Sequence, residues 1–185
     1  EFEDSGYDVK YQVVHAVEFG VPQKRERVII VGFRKDLNVE FDFPEAVVDS
    51  PEKYVPLSKV IDSDVDDKYF FSQKAVDGMM RNRESMNKGR AQNVDEPCNT
   101  VGAHLAKVSL NSTDPVLKVD NKYRRFTPRE VARIQSFPET FKLTESEHAQ
   151  YKALGNAIPP VMFWYIMRSV KDSLNSEKKY ESITV

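Results

Sequence analysis

Five consecutive polar residues, Gln23-Lys24-Arg25-Glu26-Arg27, stand directly before the apolar run VIIVGF at 28–33. Arg25 and Arg27 are two apart, so on a strand-like backbone their side chains point the same way. Two guanidinium groups on one face can grip a phosphate or a base carbonyl oxygen with fork geometry. The same residues also suit a plain charged lip at a strand entrance. A second candidate is the turn Gly155-Asn156-Ala157-Ile158-Pro159-Pro160. On its own it reads equally as an ordinary turn opening a Pro-started helix. A third is MMRNRESMNKGRAQ at 79–92, where Arg81, Arg83, Lys88 and Arg90 are set against the single acid Glu84. Arginine reads guanine O6 and N7, and Asn or Gln reads adenine. A solvated helix face followed by a loop carries the same composition.

Cys98 sits in Glu96-Pro97-Cys98-Asn99-Thr100, and a Pro-Cys pair invites assignment as a nucleophile. No histidine lies nearby in sequence to activate the thiol, so it reads as an incidental residue of a loop. His15 and His148 show no metal-ligand spacing, and no metal site is expected.

The elements that must position these groups are legible in part. Residues 7–14 (YDVKYQVV) alternate polar and apolar, as a half-buried strand does. The run at 28–33 is unbroken and rich in β-branched side chains, which suits a strand covered on both faces. Residues 34–70 are charged and punctuated by Pro44, Pro51 and Pro56, which predicts irregular connection with short elements. A short helix is expected over 72–86, weakened by Gly78, and short strands with long loops over 87–122. Thr127-Pro128-Arg129-Glu130 predicts a helix start, with Thr127 as cap, Pro128 at the first position and Glu130 closing a capping box. That helix should run through Ile134 and end before Pro138. A last helix is expected from Pro159-Pro160, with Phe163, Ile166, Met167, Val170 and Leu174 on one face. Its first turn is apolar all round, since Val161, Met162, Trp164 and Tyr165 point elsewhere, which implies a partner surface outside this chain. The tail after Leu174 reads as a solvated end.

Composition bounds the rest. Lys and Arg number 27 and Asp and Glu 29, so whole-chain attraction to phosphate is excluded as the main binding term. Hydrophobic residues make up 40%, enough for a real core. One cysteine excludes a disulfide framework and fits a reducing compartment. No apolar run approaches the roughly 20 residues of a membrane span. The chain begins at Glu1 rather than Met, as a cut piece of a longer protein would.

Three blocks then fall in order along the chain: FGVPQKRERVIIVGF at 19–33, RRFTPREVARIQSFP at 124–138 and YKALGNAIPPV at 151–161. Each resembles one of the last three sequence blocks of the DNA (cytosine-5) methyltransferases, motifs VIII, IX and X. Between the first two lies the stretch where that family places its variable target recognition domain. The family's Phe-x-Gly-x-Gly cofactor loop, Pro-Cys-Gln nucleophile block and Glu-Asn-Val block precede these three and are not found here. In that family the nucleophile block comes before the QKRER-like block, and Cys98 follows it.

The resemblance implies an α/β piece: a partial Rossmann-like methyltransferase domain plus a small, mostly β target recognition domain. Residues 1–55 would give the C-terminal strands of the catalytic domain, 56–138 the target recognition domain with motif IX, and 139–185 a hinge and a motif X helix returning to the catalytic domain. It implies an enzyme family that flips a cytosine out of double-stranded DNA and methylates C5 from S-adenosylmethionine. Arg27 would bond the cytosine O2, Arg25 would contact the backbone or brace the catalytic loop, and Gln23 would sit beside them. Asn156 and Ala157 would help close the cofactor pocket. DNA contacts would come from Arg81, Arg83, Lys88, Arg90, Thr100, His104, Lys107 and Arg129. Arg129 and Glu130 have a structural alternative as a cap and salt bridge.

This chain is thereby expected to be inactive alone and to need a complementary N-terminal half carrying the catalytic cysteine. The expected setting is the cytoplasm of a bacterium, within restriction-modification. Two other readings stay open: a stand-alone DNA-binding module, and a fragment of the related enzymes acting on transfer RNA.

Overall fold

A computed structural model describes residues 2–81, 91–107, 114–143 and 146–181. Strand β1 (Tyr7–His15) leads through a short 3-10 turn at Ala16–Phe19 into β2 (Gln23–Lys24) and β3 (Glu26–Arg34). Gly20 closes that turn at φ +76, a left-handed conformation that glycine adopts without steric cost. β1 and β3 pair antiparallel along their whole length, from Tyr7 opposite Arg34 to His15 opposite Glu26.

One face of this ribbon carries Ile29 and Val31 onto a core of Val14, Ala16, Phe19, Val21, Met162 and Ile166. Phe33, Phe41 and Phe43 continue it as an edge-packed aromatic row. The other face is bare. Tyr11 opposes Ile30 and Val13 opposes Val28, and all four side chains lie open, Ile30 at 57% and Val28 at 62% exposure. The strand at 28–33 was expected to be covered on both faces. Among the described residues it is covered on one, and no described element lies over the second.

A second core gathers Leu57, Cys98, Val101, Leu105, Leu117, Phe126, Val131, Ala132, Ile134, Tyr151 and Leu154. Short 3-10 turns at Pro51–Lys53, Leu57–Lys59 and Asp67–Tyr69 break up residues 34–70 as the prolines predict. Around the core lie α1 (Gln73–Arg81), β4 (Cys98–Asn99), and the hairpin of β5 (Leu117–Val119) with β6 (Lys122–Arg124). The helix expected over 72–86 is seen from Gln73 to Arg81, and 82–86 lie outside the described residues.

Helix α2 (Pro128–Ile134) begins as the sequence predicts. Thr127 Oγ1 accepts from the Glu130 amide and Glu130 accepts from the Thr127 amide. The Glu130 carboxylate, fully enclosed, also takes both Nη atoms of Arg124 at 2.7 and 2.8 Å and the Asp62 amide. Helix α3 (Glu147–Asn156) has no counterpart among the sequence expectations. Ser146 caps it, and Tyr151 and Leu154 bury its inner side.

Helix α4 (Pro160–Glu181) returns to the β1–β3 ribbon. Met162 and Ile166 are the side chains it buries, each worth about 1.5–3 kcal/mol on the usual transfer scale. The face expected from the sequence is therefore rotated: Phe163, Met167 and Leu174 are exposed, with Val161 and Trp164. The apolar first turns exceed what one neighbour covers, and the helix chose the row that meets Phe19 and Val14. No described helix is long and apolar enough to cross a membrane.

Candidate functional site

The polar lip at 23–27 lies where the two cores meet. Gln23-Lys24 pairs in parallel with Cys98-Asn99, so residues 98–101 run alongside 22–25. Lys24 and Glu96 form an ion pair at 2.6 Å on the surface. Thr100 Oγ1 donates to the Lys24 carbonyl at 2.8 Å.

Gln23 is fully enclosed. Its Oε1 accepts from the Val101 amide at 2.9 Å, and its Nε2 donates to Gln135 Oε1 at 2.9 Å. Gln135 Nε2 donates in turn to the Leu154 carbonyl at 2.6 Å. A satisfied chain of buried amides of this kind rigidifies the segments it joins, here the lip, the loop after β4, the end of α2 and the end of α3.

Arg25 is 4% exposed. Its Nη1 donates to the Val101 carbonyl at 3.2 Å, and its Nη2 to the carbonyls of Gly155 at 3.3 Å and Ala157 at 3.1 Å. Burial and the neighbouring Arg27 charge pull its pKa down to about 10, which leaves it protonated at neutral pH. The sequence places Arg25 and Arg27 on one side. The backbone leaves the strand pairing between β2 and β3 at Arg25, and the guanidinium goes inward while Arg27 stays half-buried. Arg27 Nη1 donates to the Glu26 carbonyl at 2.6 Å.

Asn156 ends α3 with its side chain exposed, and Ala157 follows as the half-buried cap. At the start of α4 a hollow is lined by Ser136, Pro138, Pro160, Val161, Trp164 and Tyr165. Thr100 is exposed, as are His104 and Lys107 around the short turn Leu105–Lys107. Arg129 is half-buried and donates to the Phe141 carbonyl at 2.9 Å. Arg83, Lys88 and Arg90 lie outside the described residues, and Arg81 is described in its backbone alone. Cys98 is fully buried, and burial pushes its thiol pKa up, away from the thiolate a nucleophile needs. No group of acidic, His or Cys side chains that could hold a metal ion occurs among the described residues.

The site thus brings Gln23, Arg25, Arg27, Thr100, Asn156 and Ala157 together around one junction. Sequence reasoning missed Gln135, which completes it. It lies inside a quoted block, yet a long-range amide contact leaves no local periodicity to read.

Over most of its length the chain is similar to known methyltransferases. A family model described as C-5 cytosine-specific DNA methylase matches residues 1–172. A type II methyltransferase of Fusobacterium nucleatum, M.FnuDI, is 35% identical over 205 residues, covering 97% of this chain and 59% of that protein. M.NgoPII of Neisseria gonorrhoeae is 32% identical over 198 residues, covering 94% and 58%. The chain thus spans under two thirds of the length of either relative. Among solved structures, the Dnmt2 methyltransferase of S. pombe superposes with a TM-score of 0.74 at 16% identity, over 94% of this chain and 61% of that one. The methyltransferase EhMeth of Entamoeba histolytica gives 0.67 at 18% identity, over 93% and 56%. The fold class is accordingly the α/β, Rossmann-like class of these cytosine methyltransferases.

Proposed function

The chain belongs to the C-5 cytosine-specific DNA methylase family, and we propose that it is the DNA-recognising, active-site-completing C-terminal portion of a DNA (cytosine-5) methyltransferase. The observation that carries this reading is the bare apolar surface beside the QKRER lip. Tyr11, Val13, Val28 and Ile30 are exposed on one face of the ribbon, and Phe163, Trp164 and Met167 are exposed on α4, which packs on the other face. A soluble protein seldom leaves such faces open unless a partner covers them. The partner is a complementary N-terminal half bearing the cysteine nucleophile and the cofactor loop, so this chain does not methylate alone.

In the assembled enzyme the target cytosine leaves the duplex and enters a pocket. Arg27 donates to its O2 and draws electron density from the ring, which favours thiolate attack at C6. S-adenosylmethionine, when bound, supplies the methyl group. This chain would offer it the exposed Asn156 and the half-buried Ala157 at the α3–α4 turn, and the apolar hollow at Trp164 and Tyr165 fits a group with a flat apolar part. Residues 1–55 and 139–185 serve the catalytic half, and 56–138 serve recognition. Thr100, His104, Lys107 and Arg129 belong to the duplex-facing side, with Arg81, Arg83, Lys88 and Arg90 the remaining candidates. The setting is bacterial restriction-modification.

The test is methyl transfer from labelled S-adenosylmethionine to duplex DNA by this chain, by the N-terminal half of a relative, and by both mixed. Transfer in the mixture alone supports the reading. Transfer by this chain alone, or none from an assembled mixture, overturns it. The latter outcome, with tight duplex binding by this chain, would favour a binding module. A folded RNA offered in parallel separates the transfer RNA alternative.

A further inference from the structure

Arg25 bonds the two carbonyls on either side of Asn156, those of Gly155 and Ala157, with one nitrogen. Its second nitrogen bonds the carbonyl of Val101, the residue after Thr100. Thr100 itself is tied to the carbonyl of Lys24, the residue before Arg25. We propose that Arg25 is a positioning residue: it sets Asn156 on the cofactor side and Thr100 on the DNA side in one fixed relation to Arg27, and does not bind phosphate.

This proposal rests on the reading above for its consequence in catalysis, though not for its geometry. Among the described residues no carboxylate forms an ion pair with Arg25, so three backbone carbonyls compensate a buried cation. A planar fork addresses acceptors in two directions at once, which a lysine ammonium cannot do from one point. The peptide plane before Asn156 and the one after Ala157 are held by one atom, so the guanidinium fixes the chain on either side of the Asn156–Ala157 pair. The contact of Gly155 with Gly102 closes the same junction from the other side. An exposed phosphate ligand would keep its Nη atoms toward solvent, and those of Arg25 are used internally.

The experiment uses the full chain as wild type, Arg25→Met and Arg25→Lys. Amide hydrogen exchange is expected to rise about tenfold or more in both 98–103 and 154–159, with the β1–β3 ribbon unchanged, because local openings are governed by the bonds lost there. Arg25→Lys should behave like Arg25→Met, and it carries the test if the methionine variant does not fold. Duplex binding should keep its slope of log affinity against log salt. A phosphate ligand would lose about 0.9 from that slope when removed. In the assembled enzyme the turnover should fall.

Exchange unchanged in either segment, a slope shallower by that amount, or full turnover in Arg25→Lys would each overturn the proposal. If the wild-type mixture transfers no methyl group, the functional reading fails, and the exchange result still decides whether the clamp exists.

Discussion

Gly155, near the end of α3, lies so close to Gly102 that a β-carbon on it would overlap the Gly102 carbonyl carbon and oxygen and the Ala103 nitrogen. All three are backbone atoms, and none can swing aside as a side chain would. The glycine is required for space, since its backbone is not left-handed.

Gly155→Ala therefore sets two effects against each other. Alanine favours a helix over glycine by about 1 kcal/mol. Overpacking a closed interior costs about 1–3 kcal/mol, and more where only backbone can yield. The steric cost wins, so the variant should melt below wild type by thermal circular dichroism. A raised melting temperature would show that α3 slides off the 102–103 loop without penalty.

The elements that sequence alone exposed share a local cause. The capping box at Thr127 and Glu130, the alternation in β1 and the apolar onset of α4 are each written within a few residues. What failed is non-local. Gln23 and Gln135 are buried polar groups whose satisfaction depends on each other across the chain, and no window contains both. Helix α3 has little apolar contrast between its faces, so periodicity passes over it. The face of α4 was misjudged because an all-apolar turn lets packing choose the buried row. The bare side of β3 is the same problem seen from outside: a run apolar on both faces tells of two neighbours, and the described residues supply one.

Arg124 and Glu130 form a fully buried fork, with exposures of 1% and 0%. Removing one partner leaves the other uncompensated, which costs about 3–5 kcal/mol for such a pair. Glu130→Gln should accordingly lower the urea unfolding free energy by several kcal/mol. Arg129→Ala, one residue earlier, loses a bond to the Phe141 carbonyl and should cost about 1 kcal/mol. Equal effects would deny Glu130 its special place.

Cys98 should stay unreactive toward a thiol-specific disulfide reagent at pH 8 in the native protein and react fully in denaturant. Its thiol is held protonated by burial, whereas an unfolded thiol ionises near pH 8.5. Above that value the unfolded state binds fewer protons than the native one, so stability is full below about pH 8.5 and falls as pH rises beyond it. The slope approaches about 1.4 kcal/mol per pH unit. The difference between wild type and Cys98→Ala should therefore shrink between pH 8 and 10. Rapid labelling of the folded chain would sink this account.

Ile29 and Ile30 are adjacent in β3 and point to opposite faces, one onto the Val14–Met162 core and one into the open. The same substitution at each should then have opposite consequences. Ile29→Lys puts an ammonium against a packed apolar surface, and the chain alone should lose most of its stability. Ile30→Lys changes an exposed position, and the chain alone should unfold within about 0.5 kcal/mol of wild type. Assembly with the complementary half reverses the ranking of interest. A lysine at residue 30 would be buried beneath the partner, so co-elution and methyl transfer should be lost although the chain is fully folded. The decisive comparison is urea unfolding of the isolated chain alongside size-exclusion chromatography of the mixture. If Ile30→Lys is as unstable alone as Ile29→Lys, the outer face is already covered within this chain. If it is stable and still assembles, the partner lies elsewhere.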